Sequence, residues 1–182
     1  LILIIGDGMD DHQITIARNY LVGASGHLAL DQMALRSTSQ ILTTEDKSDG
    51  KPVYVADSAN TATTMATGVI TSRGRIATAP GSNKAIVTIA ELAQAAGYRT
   101  GIVSTASVTD ATPAAFAAHI SFRMCENPDV MPDVSYKDIH IGDCIDEMKT
   151  HGGTGSISEQ LAESALDVLL GGGSKHFAPT AE

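Results

Sequence analysis

Short apolar runs alternate along the chain with segments whose apolar residues recur at helical spacing. Residues 1–5 are entirely apolar and residues 99–104 contain a second apolar run, so both predict strands. In residues 12–23, apolar side chains recur every three to four positions, which predicts a helix. Alternation of this kind is typical of a mainly parallel sheet flanked by helices. We therefore expect an α/β fold whose functional side chains lie at the carboxyl ends of the strands.

The remaining elements follow from the same periodicities and from turn residues. A run of small residues at 59–67 predicts a helix, and Gly97 ends a helix predicted over 86–96. Further helices are predicted at 113–122 and 158–166, a β-rich segment at 37–44, and a short apolar run at 168–170 before three glycines. Residues 126–154 are expected to form an irregular excursion over the surface.

Composition indicates a globular and acidic chain. Its 182 residues are 43% hydrophobic and 18% charged, which suffices to bury a core. No apolar run reaches the roughly 18 residues that cross a membrane. The net charge of −9 argues against nucleic acid as a partner, because phosphate backbones require Lys and Arg. We expect a soluble protein with neither a membrane nor a nucleic-acid partner.

Two candidate functional residues lie where extended segments end. Asp7 follows the first apolar run and stands between two glycines, so it is either a cation ligand or part of a glycine-rich turn. Ser58 opens a helix of small residues, where backbone N–H groups favour an anion and a serine oxygen could attack phosphorus. The alternative is that Asp57 or Ser58 serves only as the N-cap of that helix.

Three further candidates follow the strand predicted at 99–104. Asp110 and Thr112 offer two oxygen donors that suit Mg²⁺, directly or through water. They could equally organise a helix start, with Thr112 as N-cap and Pro113 in the first position. Arg123 could bind two phosphoryl oxygens, or it could be a cation that is favourable near a helix C-terminus.

Cysteines and histidines give weaker signals. Cys125 and Cys144 could be free, bind a metal or form a disulfide, and their spacing does not match a zinc knuckle. The six histidines include no HxxxH pair, and His119 is interpreted as a packed or hydrogen-bonded residue. The glycine run at 171–173 lacks the spacing of a phosphate-binding P-loop and is interpreted as a turn that ends a strand.

Taken together and in this order, the motifs resemble those of the alkaline phosphatase family. Residues 5–9 (IGDGM) resemble its opening metal-binding motif, and residues 57–59 (DSA) resemble its nucleophile motif. Residues 110–115 (DATPAA), followed by His119 and Arg123, are similar to the bacterial periplasmic form, as are 155–161 and 170–173. The resemblance spans nearly the whole chain and implies a three-layer α/β sandwich with a mainly parallel central sheet.

The resemblance also implies catalytic roles. Ser58 would form a covalent phosphoserine, Arg123 would bind the phosphoryl group, and Asp57 would orient Arg123. The implied activity is hydrolysis of phosphate monoesters to inorganic phosphate, and the implied assembly and location are a homodimer in the periplasm or outside the cell. Cys125 and Cys144 would form a disulfide.

The metal ions implied by the resemblance are two Zn²⁺ and one Mg²⁺. Asp7 would bridge one zinc and the magnesium, and Ser58 would bind that zinc. Thr112 would ligate magnesium, and Asp110 would hold its water shell. The other metal ligands of the family would lie beyond residue 182, so residues outside this chain would complete the coordination of these ions.

Two departures from the family pattern affect this interpretation. Asp10 stands where glycine is expected, and the chain ends at Glu182, before the histidines and acids that complete both zinc sites in the family. The chain also opens directly inside an apolar run, so we expect upstream residues to be missing. We interpret residues 1–182 as the N-terminal part of a single catalytic domain that is inactive alone. The alternatives are a phosphodiesterase or sulfatase of the same superfamily, or a non-catalytic fragment if the chain is complete; a sulfatase would need a modified cysteine in place of Ser58.

Overall fold

The computed structural model describes residues 1–178 and divides the chain into two compact units, of which the first is Leu1–Gln40. This unit contains helix α1 (Asp11–Val22) and a 3₁₀ turn at Ala29–Gln32. The Asp10 carboxylate accepts hydrogen bonds from the backbone of His12 and Gln13, and the Gln13 side chain accepts one from the Asp10 backbone. Asp10, the residue that departs from the family pattern, therefore serves as the N-cap of α1.

The strand predicted at residues 1–5 is not present in the first unit. The structure assigns these residues no strand, and the side chains of Leu1, Ile2 and Ile4 are exposed. The β-rich segment at 37–44 likewise shows only isolated bridges, both at Thr44. An apolar run has strand potential, but a strand exists only where a neighbouring segment completes its hydrogen bonds. Both predictions are therefore wrong for the structure described.

The second unit begins at Ile41 and contains the remaining regular elements. Its helices and strands, in chain order, are α2 (Ser58–Thr67), α3 (Ile89–Ala95), β1 (Gly101–Ser107), α4 (Ala111–Ala114), β2 (Val134–Tyr136), β3 (Ile139–Gly142), α5 (Ile157–Glu163) and β4 (Val168–Gly172). Short 3₁₀ turns lie at Pro128–Val130, Ile145–Glu147, Lys149–His151 and Ser174–His176. No helix within residues 1–178 combines the length and apolar character that crossing a bilayer requires.

Strands β1 and β4 pair in parallel, with Gly101 opposite Val168 and Val103 opposite Leu170. The helices that lie between them along the chain provide the crossover that a parallel pair requires. Strand β4 includes two glycines of the run at 171–173, and Gly173 follows it with φ +93°. A Cβ on Gly173 would lie 1.9 Å from Ser107 Oγ, so only glycine allows the chain to turn this close to the end of β1. The expectation of an α/β fold with a parallel sheet is confirmed.

Helix α4 is shorter than predicted and begins earlier. The prediction of a helix over 113–122 with Thr112 as its N-cap is wrong, because the Asp110 side chain caps α4 and accepts from the Ala111 backbone. The chain cannot continue as a helix to residue 122, since Ile120 exchanges two backbone hydrogen bonds with Ile76. The helical pattern predicted over 113–122 is therefore interrupted, because residue 120 forms a β-bridge with the distant residue 76.

Helices α3 and α5 are each bounded by a capping box. The Thr88 hydroxyl accepts from the Glu91 backbone and the Ser156 hydroxyl from the Glu159 backbone, while each glutamate side chain accepts from the backbone of its cap. These caps fix helix starts close to those predicted, at 86–96 and 158–166, and both helices end earlier than expected.

The core of the second unit is built largely from small side chains. Helix α2 contributes Ala59 and Ala62, both buried against the alanines of α4 and of the turn after it, with Ile76 and Ile120 beside them. Because alanine is small, α2 and α4 approach closely, and the residues that begin each helix are brought together.

Cys125 and Cys144 form a disulfide whose Cα atoms are 6.4 Å apart. Both residues are buried in the core, and the pairing implied by the family resemblance is confirmed. The bridge closes residues 126–143, the first part of the segment expected to be irregular over 126–154. That loop contains the antiparallel hairpin β2–β3 in addition to the 3₁₀ turn at Pro128–Val130. Lys137 and Asp138 turn this hairpin with positive φ at both positions.

Candidate active site

Helix α2 begins with a capping box that fixes the position of Ser58. The Asp57 carboxylate accepts from the Asn60 backbone (3.1 Å), and the Asn60 side chain accepts from the Asp57 backbone (2.8 Å). Asn60 is fully buried and also donates from Nδ2 to the Leu42 carbonyl (3.0 Å). Asp57 is thus the N-cap, which leaves Ser58 in the first helical position, where the partial positive charge of the helix N-terminus is strongest.

The Arg123 guanidinium brings three of the predicted residues together. Its Nη1 donates to Ser58 Oγ (2.7 Å) and, at 3.4 Å, to Asp57 Oδ2, while its Nη2 donates to Asp110 Oδ1 (2.8 Å). The Arg123 side chain is 24% exposed, so its charge is partly removed from water and paired with two carboxylates. The side chain therefore reaches the start of α2 and the cap of α4 at once.

Gly74 connects the two sides of this cluster through its backbone. Its N–H donates to both carboxylate oxygens of Asp57 (3.2 Å each), and its carbonyl accepts from the Arg123 backbone (2.7 Å). Gly74 has φ +81°, and a Cβ there would lie 3.4 Å from the Phe122 ring. Glycine is favoured at this position by its left-handed conformation more than by space.

Asp110 combines a structural role with a position in the site. Its Oδ1 accepts from the Ala111 backbone (2.7 Å) as well as from Arg123, and its carboxylate is 48% exposed. Thr112 lies in α4, two residues after Asp110, and is partly buried. Because about half of the carboxylate surface is exposed beside the contact with Arg123, Asp110 is suited to hold a cation or its water on that side.

Asp7 belongs to the first unit, and its predicted metal-binding role stays a prediction. Within residues 1–178, no three His, Cys, Asp or Glu side chains converge as a metal site would require. The oxygens of Ser58, Asp110 and Thr112 suit Mg²⁺ or Zn²⁺ by type, although such ions take four to six or more ligands. The described residues therefore fit part of a coordination sphere.

Two residues that contribute to the site, Asn60 and Gly74, were not predicted from the sequence. Asn60 could have been found, because an Asp followed three residues later by Asn resembles a capping box and precedes a helical run. Gly74 offered no local signal, since its contacts are to residues 17 positions before it and 49 positions after it (74 − 57 and 123 − 74). Contacts of that sequence separation become visible only in the folded chain.

The structure defines a mixed α/β protein with a parallel strand pair, in which a serine at a helix N-terminus contacts a partly buried arginine. This class of site favours anions, and phosphate groups in particular. The family model described as alkaline phosphatase matches residues 1–182, and the chain belongs to the alkaline phosphatase family.

Sequence relatives include two bacterial phosphatases. The chain is 45% identical over 180 residues to streptomycin-6-phosphate phosphatase of Streptomyces griseus, covering 99% of this chain and 37% of that protein. It is also 45% identical over 184 residues to alkaline phosphatase of Escherichia coli, covering 100% of this chain and 36% of that protein. The chain thus spans little more than a third of the length of these relatives.

Solved structures of alkaline phosphatases share the fold. The cold-active enzyme from a psychrophilic Shewanella species matches with a TM-score of 0.64 and 27% identity, over 96% of this chain and 36% of that one. The enzyme from the Antarctic bacterium TAB5 matches with a TM-score of 0.56 and 27% identity, over 89% of this chain and 36% of that one. A variant of the TAB5 enzyme was solved with magnesium bound.

Proposed function

We propose that the full-length protein containing this chain hydrolyses phosphate monoesters through a phosphoserine formed on Ser58. The observation that carries this proposal is the 2.7 Å hydrogen bond from Arg123 Nη1 to Ser58 Oγ in the first position of α2. A phosphoryl group on or beside Ser58 Oγ would meet a guanidinium and the helix N-terminus at the same time. Both interactions strengthen as negative charge develops on the phosphoryl oxygens.

The reaction would proceed in two displacements at phosphorus. In the first, the Ser58 oxygen forms a bond to phosphorus while the bond to the ester oxygen breaks, and the departing alcohol takes up a proton. In the second, a water oxygen attacks the phosphoserine and releases inorganic phosphate, which returns Ser58 to its starting form. Arg123 would bind phosphoryl oxygens in both steps, and Asp57 would keep the guanidinium in its orientation.

We propose further that Asp7, Ser58, Asp110 and Thr112 contribute to sites for two Zn²⁺ and one Mg²⁺, which residues outside this chain complete. When bound, such cations stabilise negative charge on the serine oxygen and on the attacking water. The magnesium-bound TAB5 variant supports metal binding in a relative of the same fold. Residues 1–182 alone are proposed to be inactive, because three-ligand groups are not found among the residues that the structure describes.

The proposed setting is the periplasm or the exterior of the cell, with the protein as a homodimer. The Cys125–Cys144 disulfide supports an oxidising compartment, because such bonds are rare where thiols are kept reduced. The streptomycin-6-phosphate phosphatase relative supports a monoester as the substrate class.

Substitution of Ser58 tests the proposal in the full-length protein. Ser58→Ala is expected to lower kcat for a phosphate monoester by roughly 10³-fold or more, because the nucleophile is lost. Acid quenching of the wild type with a labelled monoester should trap phosphate on the peptide containing Ser58. Ser164→Ala, which removes a hydroxyl bonded to the Leu161 carbonyl at the end of α5, should leave kcat unchanged. Full activity in Ser58→Ala, or turnover of diesters alone, would contradict the proposal.

A further inference from the structure

A chain of polar contacts joins Ser107, Thr109, Glu126 and His176, which flank Asp110 and Arg123 or lie near the end of the described chain. Ser107 Oγ and Thr109 Oγ1 are 2.7 Å apart, and Thr109 Oγ1 lies 2.5 Å from Glu126 Oε2. His176 Nε2 approaches the same Glu126 oxygen at 3.1 Å. Thr109 is fully buried, and the side chains of Glu126 and His176 are mostly buried. The Ser107 carbonyl also accepts from the Asp110 backbone (3.1 Å), so this network adjoins the site through the main chain.

The hydrogen-bond pattern fixes the direction of each bond. An ionised Glu126 carboxylate only accepts, so the Thr109 hydroxyl donates to it and the Ser107 hydroxyl donates to Thr109. Asn127 Oδ1 accepts from two backbone N–H groups, so Asn127 Nδ2 is the atom that donates to His176 Nδ1 (3.2 Å). The proton of a neutral His176 is therefore assigned to Nε2, which donates to Glu126. One carboxylate oxygen thus receives both a hydroxyl and an imidazole proton.

The network joins the two chain segments that carry the ion pair. Thr109 immediately precedes Asp110 in the turn after β1, and Glu126 follows Arg123 by three residues. The Glu126 carbonyl also accepts from the Ser158 backbone (2.9 Å), which holds this segment against the start of α5. The Thr109–Glu126 bond therefore links the segment that carries Asp110 to the segment that carries Arg123. Since a hydrogen bond weakens within a few tenths of an ångström, a shift between the segments would alter the 2.8 Å contact between them.

We propose that Glu126 is a positioning residue for Arg123: through Thr109, its carboxylate sets the distance between Asp110 and Arg123, and His176 holds that carboxylate in its orientation. The inference rests on the proposed function, because the arginine it positions is the proposed phosphate ligand. Glu126 touches neither substrate nor reacting atoms, so its effect is on the binding of phosphoryl groups by Arg123.

Paired substitutions in the full-length protein test this role. Glu126→Leu removes the acceptor of both protons, and we expect about a 10-fold fall in kcat/KM for para-nitrophenyl phosphate and a similar rise in Ki for inorganic phosphate. Glu126→Gln should restore both values to within about threefold, because one amide oxygen can accept both bonds. A purely structural loss would lower the melting temperature without moving Ki, so Tm is measured alongside.

The matched control is Glu91→Leu. Glu91 likewise contacts a histidine Nε2, that of His119 (2.9 Å), and accepts from the Thr88 backbone (2.7 Å), but it does not lie on either segment of the ion pair. Glu91→Leu should lower Tm and leave kcat/KM and Ki within twofold of wild type. An equal loss of phosphate affinity in Glu91→Leu would overturn the proposal.

Thr109 provides an independent arm should Glu126→Leu fail to fold. Thr109→Val keeps the shape and removes the hydroxyl, so it should reproduce the loss, and Thr109→Ser should restore it. Unchanged Ki in both Glu126→Leu and Thr109→Val would overturn the role of Glu126. If the wild type turns over no monoester, the proposed function fails, and calorimetry of phosphate binding then tests the role of Glu126 separately. Weaker phosphate binding in Thr109→Val would support that role, and unchanged binding would overturn it.

Discussion

At the scale of single residues, Arg123 is the side chain on which the proposed site depends. Its planar guanidinium contacts Ser58, Asp57 and Asp110 in different directions. A lysine carries the same charge but concentrates it on one nitrogen, so it cannot hold two carboxylates and the serine oxygen in the same arrangement. The geometry of the donors at this position, as well as the charge, should matter for activity.

Arg123→Lys is therefore expected to lower kcat/KM for a phosphate monoester by about 10- to 100-fold, with most of the change in KM, because bidentate binding of phosphoryl oxygens is lost. Steady-state kinetics and the Ki of inorganic phosphate measure the effect. Arg99→Lys is the matched control, since Arg99 pairs with Asp167 on an exposed surface and should tolerate the change. Equal kinetics for Arg123→Lys and wild type would show that charge alone suffices.

At the scale of elements, the carboxylate of Asp46 joins its own loop to the segment that spans residues 72–81. Asp46 pairs with the buried side chain of Arg75 (2.7 Å) and accepts from Gly81 N–H (2.6 Å) and from the Ser72 hydroxyl (2.9 Å). Burial raises the pKa of Asp46, but the hydrogen bonds from Arg75, Gly81 and Ser72 outweigh it, and the net pKa is lowered. These bonds connect stretches of chain that contain little helix or strand of their own.

Because the folded-state pKa of Asp46 is below its value of 3.8 in the unfolded chain, its ionised form stabilises the fold above that pH. The contribution is lost as pH falls from about 4 through the folded-state pKa. Asp46→Asn should therefore be less stable than wild type at neutral pH, and the difference should narrow below pH 4. Urea unfolding between pH 3 and 7 measures this, and a difference that stays constant with pH would contradict it.

Elements set by local signals were predictable from the sequence, and elements set by distant partners were not. Helices α2, α3 and α5 carry their own caps, and their existence was predicted correctly. Helix α4 was predicted too long because the pattern could not reveal that Ile120 pairs with Ile76. The apolar run at residues 1–5 likewise gives no information about a neighbouring strand, which is what a strand requires.

At the scale of the whole molecule, the Cys125–Cys144 disulfide is a long-range constraint on the site. It closes a loop over a sequence separation of 19 and begins two residues after Arg123. The sequence alone left three possibilities for these thiols, and the family resemblance selected the correct one. Ser58, Asp57, Asp110 and Arg123 were predicted in the same way, because each residue had an ordinary local explanation and only their combined order pointed to one site. The structure brings these four side chains together, and their catalytic roles stay predictions.

Replacing both cysteines by alanine is expected to lower the free energy of unfolding by about 3 kcal/mol, because the unfolded chain regains the entropy of an open loop. Denaturant unfolding of the full-length protein, with and without reductant, measures this loss. The double variant should be insensitive to reductant. A wild type whose stability does not respond to complete reduction would contradict the expected contribution.

The alanine-rich contact between α2 and α4 has a consequence for how mutations are interpreted. Ala59 and Ala62 are buried where the two helices meet, and any larger side chain there would push α2, and Ser58 with it, away from Arg123. In a saturation-mutagenesis map, these alanines would tolerate as little variation as the nucleophile, although neither is proposed to touch a substrate. A position in α2 that tolerates no substitution could therefore be needed for the distance between α2 and α4, and not only for the chemistry at Ser58.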